Sequence, residues 1–299
     1  MIDCAIIVVA YRSAGDLPAL FASLPEAARE LSWAVVVVDN YGLDELQDVI
    51  GPDPRVTLVR PQGNLGYSGG LNLGLRHAPQ SRFTVFLNPD LSLEPGALSE
   101  LAQACTAPGV VATVPLVVDE DGARQRSLRR EPSLSRAFGE AVLGDHWPGR
   151  PAWLSEMIRI PSRYRAGSAV DWATGAAFLV RSDILPAVGA WDAERFFLYS
   201  EETDFARRIR QTGGKLWFVP AAVVRHRGAG SGSSSELEAL LSFNKVRYYR
   251  KWHGALASAA FFGVIVLHNV LRIRRPGSRA ALRALFSRRA RAALPGGVG

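Results

Sequence analysis

A cluster of acidic side chains stands in the stretch FFLYSEETDFARR, residues 196–208. Glu201, Glu202 and Asp204 lie within four positions, directly behind an aromatic segment. On a helix, at about 100° per residue, Glu201 and Asp204 share one face and Glu202 points well away from both. Asp204 can pair with Arg208 one turn later, which leaves Glu202 free to act as a general base in a cleft.

A solvated helix that does no chemistry is the alternative for the same stretch. Ser200 is a typical N-cap residue, and acidic side chains in the first turn suit the helix dipole. Arg207 offers Asp204 a second partner at i+3, in a surface-type ion pair. The stretch alone leaves both interpretations open, so the rest of the chain has to supply partners for Glu202.

Polar residues also stand where strand-like apolar runs end. Asp39 closes the run WAVVVVD and Asn40 follows it, Asn88 and Asp90 belong to FLNPD after another run, and Tyr11 closes a third. In a parallel sheet the carboxyl ends of strands meet at one edge, and ligands bind there. We therefore expect these side chains to line a ligand site.

Each of these strand-end residues has a chemical and an ordinary interpretation. Asp39 could accept a hydrogen bond from the N3–H of a pyrimidine, or it could cap the following turn together with Asn40. Asp90 could hold a divalent cation against a diphosphate, although Asn-Pro-Asp is also a common turn. His226 ends the run AVVRH and could converge on Asp90, although such a histidine is more often structural.

The segment GNLGYSGGLNLG, residues 63–74, carries five glycines at the start of a helix-like segment. Glycines there let the backbone approach a diphosphate, and a helix N-terminus favours an anion. Tight packing of the helix on the sheet explains them equally well. The segment is neither a Walker A loop nor a G-x-G-x-x-G fingerprint.

Apolar and amphipathic segments alternate through the first 118 residues. Strands are predicted at 4–11, 33–39, 55–59 and 83–88, with helices at 16–31, 43–50, 68–77 and 95–106. This alternation predicts an α/β fold with a mostly parallel sheet flanked by helices.

Residues 119–168 are predicted to form a long excursion from the sheet, with a weak helix at 133–143. We interpret this excursion as a partly mobile segment that is either functional or a linker. The chain is predicted to return to the sheet after it. After it we predict a strand, a small-residue turn and a strand over 169–181, then a helix at 200–212. Strands at 215–220 and 222–226, a Gly/Ser loop at 228–235 and helices from 236 follow. We therefore divide the chain into a catalytic domain, 1–235, and a basic helical extension, 236–299.

Charge is distributed unevenly along the chain. Residues 244–299 hold 12 lysines and arginines and no acid, whereas the rest holds 23 of them against all 28 acids. Such a tail suits an anionic surface, and we expect phospholipid rather than nucleic acid. The apolar run 255–271 is short for a span, so we expect a helix lying in the membrane interface, followed by a basic helix at 277–293. The alternative is a helix packed on the domain.

The composition limits the class of protein further. A hydrophobic fraction of 48% excludes general disorder. Cys4 and Cys105 form neither a disulfide framework nor a metal-ligand spacing, which favours a reducing cytoplasm. Residues 1–10 show no signal peptide.

Taken in order, these motifs resemble the inverting family 2 glycosyltransferases of the GT-A fold, and most closely the bacterial enzymes that use dTDP-L-rhamnose. The resemblance covers about residues 3–253 and rests on the strand-end residues, the glycine-rich segment, W-x-T-G-A-A, the acidic motif and P-x-x-x-V-x-H. It implies a divalent cation, Mg²⁺ or Mn²⁺, a nucleotide-sugar donor and a lipid-linked or polysaccharide acceptor for cell-envelope glycan synthesis. It also implies a cytoplasmic enzyme on the inner face of the membrane.

The resemblance also implies a role for each matching residue. Glu202 would be the general base, with Glu201 as the alternative, because both replace the family's usual Glu-Asp. Asp90, with His226, would hold the metal, and Asn88 replaces the first Asp of D-x-D. The nucleotide would be lined by Tyr11, Asp39, Asn40, Asn64, Gly66, Asn72 and Asn88, and the sugar and acceptor by Trp172, Thr174, Gly175 and Ala176.

These roles amount to a single displacement at the anomeric carbon, without a covalent nucleophile. Two other functions compete with it. A sugar nucleotidyltransferase expects a basic residue in its glycine-rich loop, and 63–74 has none. A non-catalytic glycan or nucleic-acid binder would leave the clustering of Asp39, Asp90 and Glu202 unexplained. The acceptor, the linkage, the exact pyrimidine-nucleotide sugar and the oligomeric state stay open.

Overall fold

The computed structural model describes residues 1–42, 45–144, 147, 149–228 and 234–297. Its strands are β1 Ile2–Ala10, β2 Trp33–Asp39, β3 Val56–Val59, β4 Ser81–Leu87, β5 Leu91–Leu93, β6 Val110–Val118, β7 Leu128–Arg129, β8 Ser168–Val170, β9 Trp172–Ala173, β10 Ala177–Arg181 and β11 Lys215–His226. Its helices are α1 Leu17–Ala28, α2 Glu45–Ile50, α3 Gly66–His77, α4 Ala97–Ala104, α5 Leu134–Leu143, α6 Leu185–Val188, α7 Glu201–Gln211, α8 Ser235–Trp252, α9 Ala255–Val270, α10 Pro276–Phe286 and α11 Arg288–Ala292.

The central sheet has the strand order β3-β2-β1-β4-β10-β6-β11-β5, with β8 added beside β11. The pairs β3–β2, β2–β1, β1–β4 and β6–β11 are parallel, whereas β10 runs antiparallel to β4 and β6. The predicted mostly parallel sheet is therefore confirmed. Strands β1, β2, β4, β6 and β11 all end at one edge, and β10 begins there.

The sheet is covered on both faces, as its continuously apolar strands require. One face packs against α1 and α4, through residues such as Leu20 and Leu101. The other face packs against α3 and α7, through residues such as Leu71 and Phe205. Burial on both faces fixes the strand ends, and with them the side chains at the sheet edge.

Strand β6 was not predicted, although its sequence VVATVPLVV is apolar. Pro115 interrupts it and cannot donate to the ladder. In the structure Pro115 pairs with Val219, next to a shift of register on β11. The two strands predicted at 215–220 and 222–226 are the single strand β11, bent by this irregularity. A proline on one strand is thus accommodated by a bulge on the other.

The excursion at 119–168 is folded onto the domain, so the linker interpretation is wrong where it is described. Strand β7 pairs with β9, and α5 begins after Ser133, whose hydroxyl accepts a hydrogen bond from the Arg136 N–H. Residues 145, 146 and 148 lie outside the described structure, as do 43–44 of the predicted second helix and 229–233 of the predicted Gly/Ser loop.

The C-terminal helices form a third apolar cluster with α5. One face of α9 is buried against the protein through Ser258, Phe261, Ile265 and Asn269, so these side chains are not available to a membrane. This face therefore packs on the protein, as the alternative to a helix lying in the membrane interface predicted. Instead of one basic helix at 277–293, α10 and α11 meet at Ser287, which caps α11. Across the described residues, no helix combines the length and apolarity that a bilayer crossing requires.

Candidate active site

Asp39 lies at the edge of the sheet with a buried carboxylate. Its Oδ1 accepts hydrogen bonds from the N–H groups of Tyr41, at 3.1 Å, and Gly42, at 2.8 Å, so the predicted turn cap is present. Its Oδ2 accepts no hydrogen bond from the described residues and lies 3.6 Å from the Arg60 Nε. One oxygen therefore shapes the turn, while the other is buried beside Arg60 without a hydrogen-bond donor among the described residues.

A cavity of about 240 Å³ opens beside Asp39. Tyr11, exposed at the end of β1, lies edge-on to Tyr41 with ring centroids 5.3 Å apart. The Arg12 guanidinium stacks over the Tyr41 ring at 4.8 Å. Arg12 and Tyr41 were not predicted as site residues. The only sequence feature that could have indicated them is their position next to the end of a strand.

Four of the five glycines of 63–74, all except Gly63, lie where a side chain would meet neighbouring atoms. Side chains at Gly70 and Gly74 would come within 2.7 Å of Val9 and 2.4 Å of Ile7, so both glycines let α3 approach the sheet. Gly66 has φ +70° and contacts Phe197, whose carbonyl accepts a hydrogen bond from the Tyr67 N–H at 2.7 Å. The segment is thereby fixed against the acidic motif.

Three predicted nucleotide residues have intramolecular partners in this region. The Asn40 Nδ2 donates to the Gly66 carbonyl at 2.7 Å, and the Asn64 Oδ1 accepts from the Gly66 N–H at 2.9 Å. Asn72 uses both ends of its amide on the backbone of Trp191, at 2.8 and 2.9 Å. This geometry gives Asn72 a structural task, whereas the Asn40 Oδ1 accepts no hydrogen bond from the described residues.

Asp90 and His226 meet at the sheet edge, where β5 pairs with the end of β11. The Asp90 Oδ2 lies 3.2 Å from the His226 Nε2. Ligands that neighbour each other on an octahedral cation lie roughly 3 Å apart, given metal–oxygen distances of about 2.1 Å, so the pair fits two adjacent positions of one divalent ion. The described residues contain no group of three His, Cys, Asp or Glu side chains arranged to hold an ion. Most of the coordination shell would have to come from ligand oxygens and water.

A second cavity, of about 350 Å³, lies next to this pair and is called the cleft below. Asn88 and His226 line one part of it, and the turn before β10 supplies Thr174, Gly175 and Ala176. The Asn88 N–H donates to the Ala176 carbonyl at 2.9 Å, which fixes the turn to the end of β4. The remaining described lining residues are Arg129, Pro132, Glu156, Trp172, Tyr199, Ser200, Glu202, Thr203, Leu241, Lys245, Tyr248 and Phe261.

Glu202 lines the cleft, whereas Glu201, 1% exposed, is buried beneath it. A side chain at Gly175 would lie 2.4 Å from the Glu202 Oε1, so the glycine makes room for this carboxylate. Burial raises the pKa of Glu202, and the backbone N–H groups of Glu202 and Gly175 and the charge of Arg129 partly offset it. Burial, and then the charge of Glu202, raises the pKa of Glu201 well above its ordinary value. Glu202 is therefore the carboxylate that can reach a ligand.

The turn that leads into α7 holds two consecutive residues in the left-handed region, Tyr199 at φ +71° and Ser200 at φ +70°. Such conformations cost about 1–3 kcal/mol each and persist only when their surroundings enforce them. The buried Asn244 of α8 donates from its Nδ2 to the Leu198 carbonyl at 2.9 Å. Ser200 occupies the N-cap position, but its side chain makes no capping hydrogen bond, unlike the prediction.

Asp204 is fully buried and pairs with Arg208, as predicted, at 2.9 Å. Its other oxygen forms an ion pair with the Lys251 Nζ at 2.7 Å and accepts a hydrogen bond from the Trp252 Nε1 at 3.0 Å. Arg207 pairs with Glu131 of the excursion instead. The expectation of a surface-type pair is therefore wrong, because α8 covers this side of α7.

Sequence reasoning missed the side chains that reach the cleft from outside the sheet. The Tyr67 hydroxyl lies 3.4 Å from the Gly175 carbonyl, and burial, followed by the charges of Glu202, Glu201 and Asp90, raises its pKa. Arg129 and Glu156 come from the excursion, and Lys245 and Tyr248 come from α8. Apart from Tyr67, which lies in the glycine-rich segment, none of them belongs to a motif, and their packing brings them together. The Trp172 indole, which was predicted, donates to the Arg130 carbonyl at 3.0 Å.

Comparison with known proteins identifies relatives over nearly the whole chain. It is 29% identical over 301 residues to the N-acetylglucosaminyl-diphospho-decaprenol L-rhamnosyltransferase of Mycobacterium tuberculosis, covering 94% of this chain and 96% of that protein. It is 27% identical over 213 residues to the low-salt glycan biosynthesis hexosyltransferase Agl10 of Haloferax volcanii, covering 70% and 62% of the two chains.

Solved structures share the fold at lower identity. The structure of GalNAc-T7 with UDP, GalNAc and Mn²⁺ superposes with a TM-score of 0.61 at 17% identity, over 90% of this chain and 55% of the other. This chain therefore spans about half of that protein. The mannosyltransferase PcManGT of Pyrobaculum calidifontis, in complex with GDP-Man and Mn²⁺, superposes with a TM-score of 0.54 at 18% identity, over 95% and 76% of the chains.

The family assignment rests on a profile that covers more than half of the chain. Residues 5–165 match Glycosyl transferase family 2. This segment contains the β1–β4 strand ends, the glycine-rich segment and Asp90, and the GT-A glycosyltransferase neighbours share the sheet that carries them. The resemblance seen in the sequence is thus confirmed, and the chain belongs to glycosyl transferase family 2.

Proposed function

We propose that this protein transfers L-rhamnose from dTDP-L-rhamnose to a lipid-linked sugar, with inversion at the anomeric carbon, for synthesis of a cell-envelope glycan. The observation that carries the proposal is the cleft, in which Glu202 shares one cavity with Asn88 and His226. The M. tuberculosis relative is named for this sugar and for a diphospho-decaprenol acceptor, which supports the choice of substrates.

The donor side of the site comprises Asp39, Asn88, Asp90 and His226. Asp39 offers its Oδ2 to the N3–H of the pyrimidine, while its Oδ1 keeps the turn in shape. Tyr11 and Tyr41 supply aromatic walls next to it. Asn64 and Gly66 lie between Asp39 and Asn88 in the sequence. They belong to the glycine-rich segment, which we propose lies beside the ribose and the diphosphate.

Asp90 and His226 would hold the divalent cation, since their 3.2 Å separation suits neighbouring ligands. When bound, the ion would neutralise charge on the departing diphosphate. The choice between Mg²⁺ and Mn²⁺ is not set by these two side chains. Asn88 replaces a carboxylate here, so the protein contributes little negative charge of its own to the ion.

Glu202 takes the proton of the acceptor hydroxyl as the oxygen attacks the anomeric carbon. Its raised pKa makes it a stronger base than an exposed glutamate, although it must be deprotonated to act. Activity should therefore fall as the pH is lowered through this raised pKa. Trp172, Thr174 and the Gly175–Ala176 turn line the space for the sugar and the acceptor.

The donor assignment is tested by isothermal calorimetry of nucleotide diphosphates and nucleotide sugars, with and without Mn²⁺ or Mg²⁺. We expect dTDP to bind more tightly than purine nucleotides, and Asp90→Ala to lose the metal-dependent part of the affinity. Asp183→Ala is the matched control, because Asp183 is an exposed carboxylate whose ion-pair partner, among the residues that the structure describes, is Arg181. Undiminished, metal-dependent binding by Asp90→Ala would reject the assignment.

We further propose that the protein sits on the inner face of the cell membrane. Val142, Leu271 and Ile273 are exposed around a groove that also carries Arg274 and Arg275. Apolar side chains ringed by cations favour an anionic lipid interface. Here the membrane contact is the α5 and α9–α10 junction, not the buried face of α9.

Flotation with anionic liposomes tests this contact. The double variant Leu271→Glu, Ile273→Glu should float less than the wild type, and Ile160→Glu, which changes another exposed isoleucine outside the groove, should not. Point changes are preferable to deletion of 255–299, which would remove Phe261 and Ile265 from the apolar cluster. Equal flotation of all three proteins would reject the contact.

A further inference from the structure

Two cations line the cleft, and neither belongs to the motifs. Arg129 comes from β7 in the excursion and Lys245 from α8, and both share the cavity with Glu202. The charge of Arg129 acts on Glu202 and on Glu156, and the charge of Lys245 acts on Glu156. A neutral sugar hydroxyl as acceptor has no need of these two positive charges.

Intramolecular partners neutralise these cations only in part. The Arg129 guanidinium donates to the backbone carbonyls of Leu128, at 3.2 Å, and Arg126. Among the described residues, Lys245 forms no ion pair, and its charge acts on Glu156, which lines the same cavity. Burial raises the pKa of Glu156, which disfavours its charged form, and the charges of Lys245 and Arg129 partly offset this effect. Cations enclosed in this way are stabilised by an anionic ligand.

Apolar surface lies directly beside the cations. Leu241 is one turn before Lys245 on α8 and therefore shares its face, and Phe261 reaches the same cavity from α9. A ligand that fits has a sugar hydroxyl at Glu202, phosphate groups at the two cations and an apolar chain next to them. A prenyl-diphospho-sugar has these parts in this order.

We propose that Arg129 and Lys245 form the subsite for the diphosphate of a lipid-linked acceptor. The proposal rests on the sugar transfer proposed above and names the residues that recognise the acceptor. The subsite is distinct from the place of the donor diphosphate, which lies at Asp90 and His226. Because both ligands offer the same diphosphate chemistry, the test must separate the two sources.

The experiment compares two acceptors, a short-chain prenyl-diphospho-GlcNAc and an octyl β-GlcNAc glycoside that lacks phosphate. Lys245→Ala should lower kcat/KM for the diphosphate acceptor about 10- to 100-fold, the range expected for loss of a charge-assisted hydrogen bond. It should leave kcat/KM for the octyl glycoside and the affinity for dTDP within about 2-fold of the wild type. Lys245→Arg should restore most of the loss, because it keeps the charge.

Two further variants complete the design. Arg129→Gln should lower kcat/KM more for the diphosphate acceptor than for the octyl glycoside, although it should slow both, because the charge of Arg129 also lowers the pKa of Glu202. Lys215→Ala is the matched control, because Lys215 is an exposed lysine at the opposite end of β11. It should affect neither acceptor.

Three outcomes would overturn the subsite. Equal losses with both acceptors would mean that Lys245 only shapes the cleft. Weakened dTDP binding by Lys245→Ala would assign the cations to the donor. If the wild-type protein transfers sugar to neither acceptor, the proposed function fails and the subsite with it.

Discussion

On the donor side of the site, Asp39, Asn88, Asp90 and His226 each stand at or next to the end of a strand, so strand order alone places them along one edge of the sheet. On the acceptor side, which comprises Arg129, Glu202 and Lys245, the side chains come from the excursion, α7 and α8. The first arrangement follows from strand order, whereas the second depends on how distant segments pack. The difference predicts that the two sides respond to different substitutions.

The largest expected effect separates binding from transfer. Glu202→Gln should keep nucleotide-sugar affinity, because size and hydrogen-bonding shape are nearly unchanged, yet lose about 10²- to 10⁴-fold in the single-turnover transfer rate. Glu201→Gln should be milder, because its carboxyl is buried beneath the cleft. Near-normal turnover by Glu202→Gln would contradict the assignment of Glu202 as the general base. If Glu201→Gln were inactive at the same time, Glu201 would be the base instead.

The next effect concerns the packing that supports the acceptor side. Asp204→Asn should destabilise the protein by about 3 kcal/mol, because it removes one charge from a buried group of Asp204, Arg208 and Lys251. Chemical denaturation measures this loss. Asp183→Asn, in an exposed pair, should cost less than about 1 kcal/mol. Equal, small losses would mean that α8 does not hold α7 through Asp204.

The smallest effect is a change in the pH dependence of stability. The folded-state pKa of Glu201 is raised, so its contribution to stability is fully present below its unfolded pKa and is lost as the pH rises through the folded value. Glu201→Gln should remove this loss and gain on the order of 1 kcal/mol relative to the wild type at alkaline pH. Parallel stability curves for the two proteins between pH 5 and about 9 would contradict the burial of this carboxyl.

The same division explains what could be predicted from the sequence. Strand periodicity predicted β1 to β4 and the end of β11, so Asp39, Asp90 and His226 could be named. Helical spacing separated Glu202 from Glu201 and Asp204, and the structure agrees. The helix covering Asp204 could not be foreseen, because the pattern of α7 alone resembles an exposed helix with i,i+4 pairs.

Residues without a local signal were missed. Arg129 and Glu156 lie in a segment with little periodicity, and Lys245 lies on a helix that the charge pattern assigned to a membrane surface. Strand β6 was not predicted because Pro115 interrupts its sequence. The structure accommodates this proline through an irregularity in β11, about 100 residues later along the chain. Each of these features is decided by contacts between segments far apart in sequence, which neither propensity nor spacing encodes.

The stereochemistry of the product is the best test of a single displacement with Glu202 as the base. Purified protein should be incubated with dTDP-β-L-rhamnose, a divalent cation and prenyl-diphospho-GlcNAc, and the anomeric configuration of the new bond read by NMR. Direct attack by the acceptor oxygen on the β-linked donor predicts an α-L-rhamnoside. A β-L-rhamnoside, formed with retention, would require a second displacement and would contradict the account.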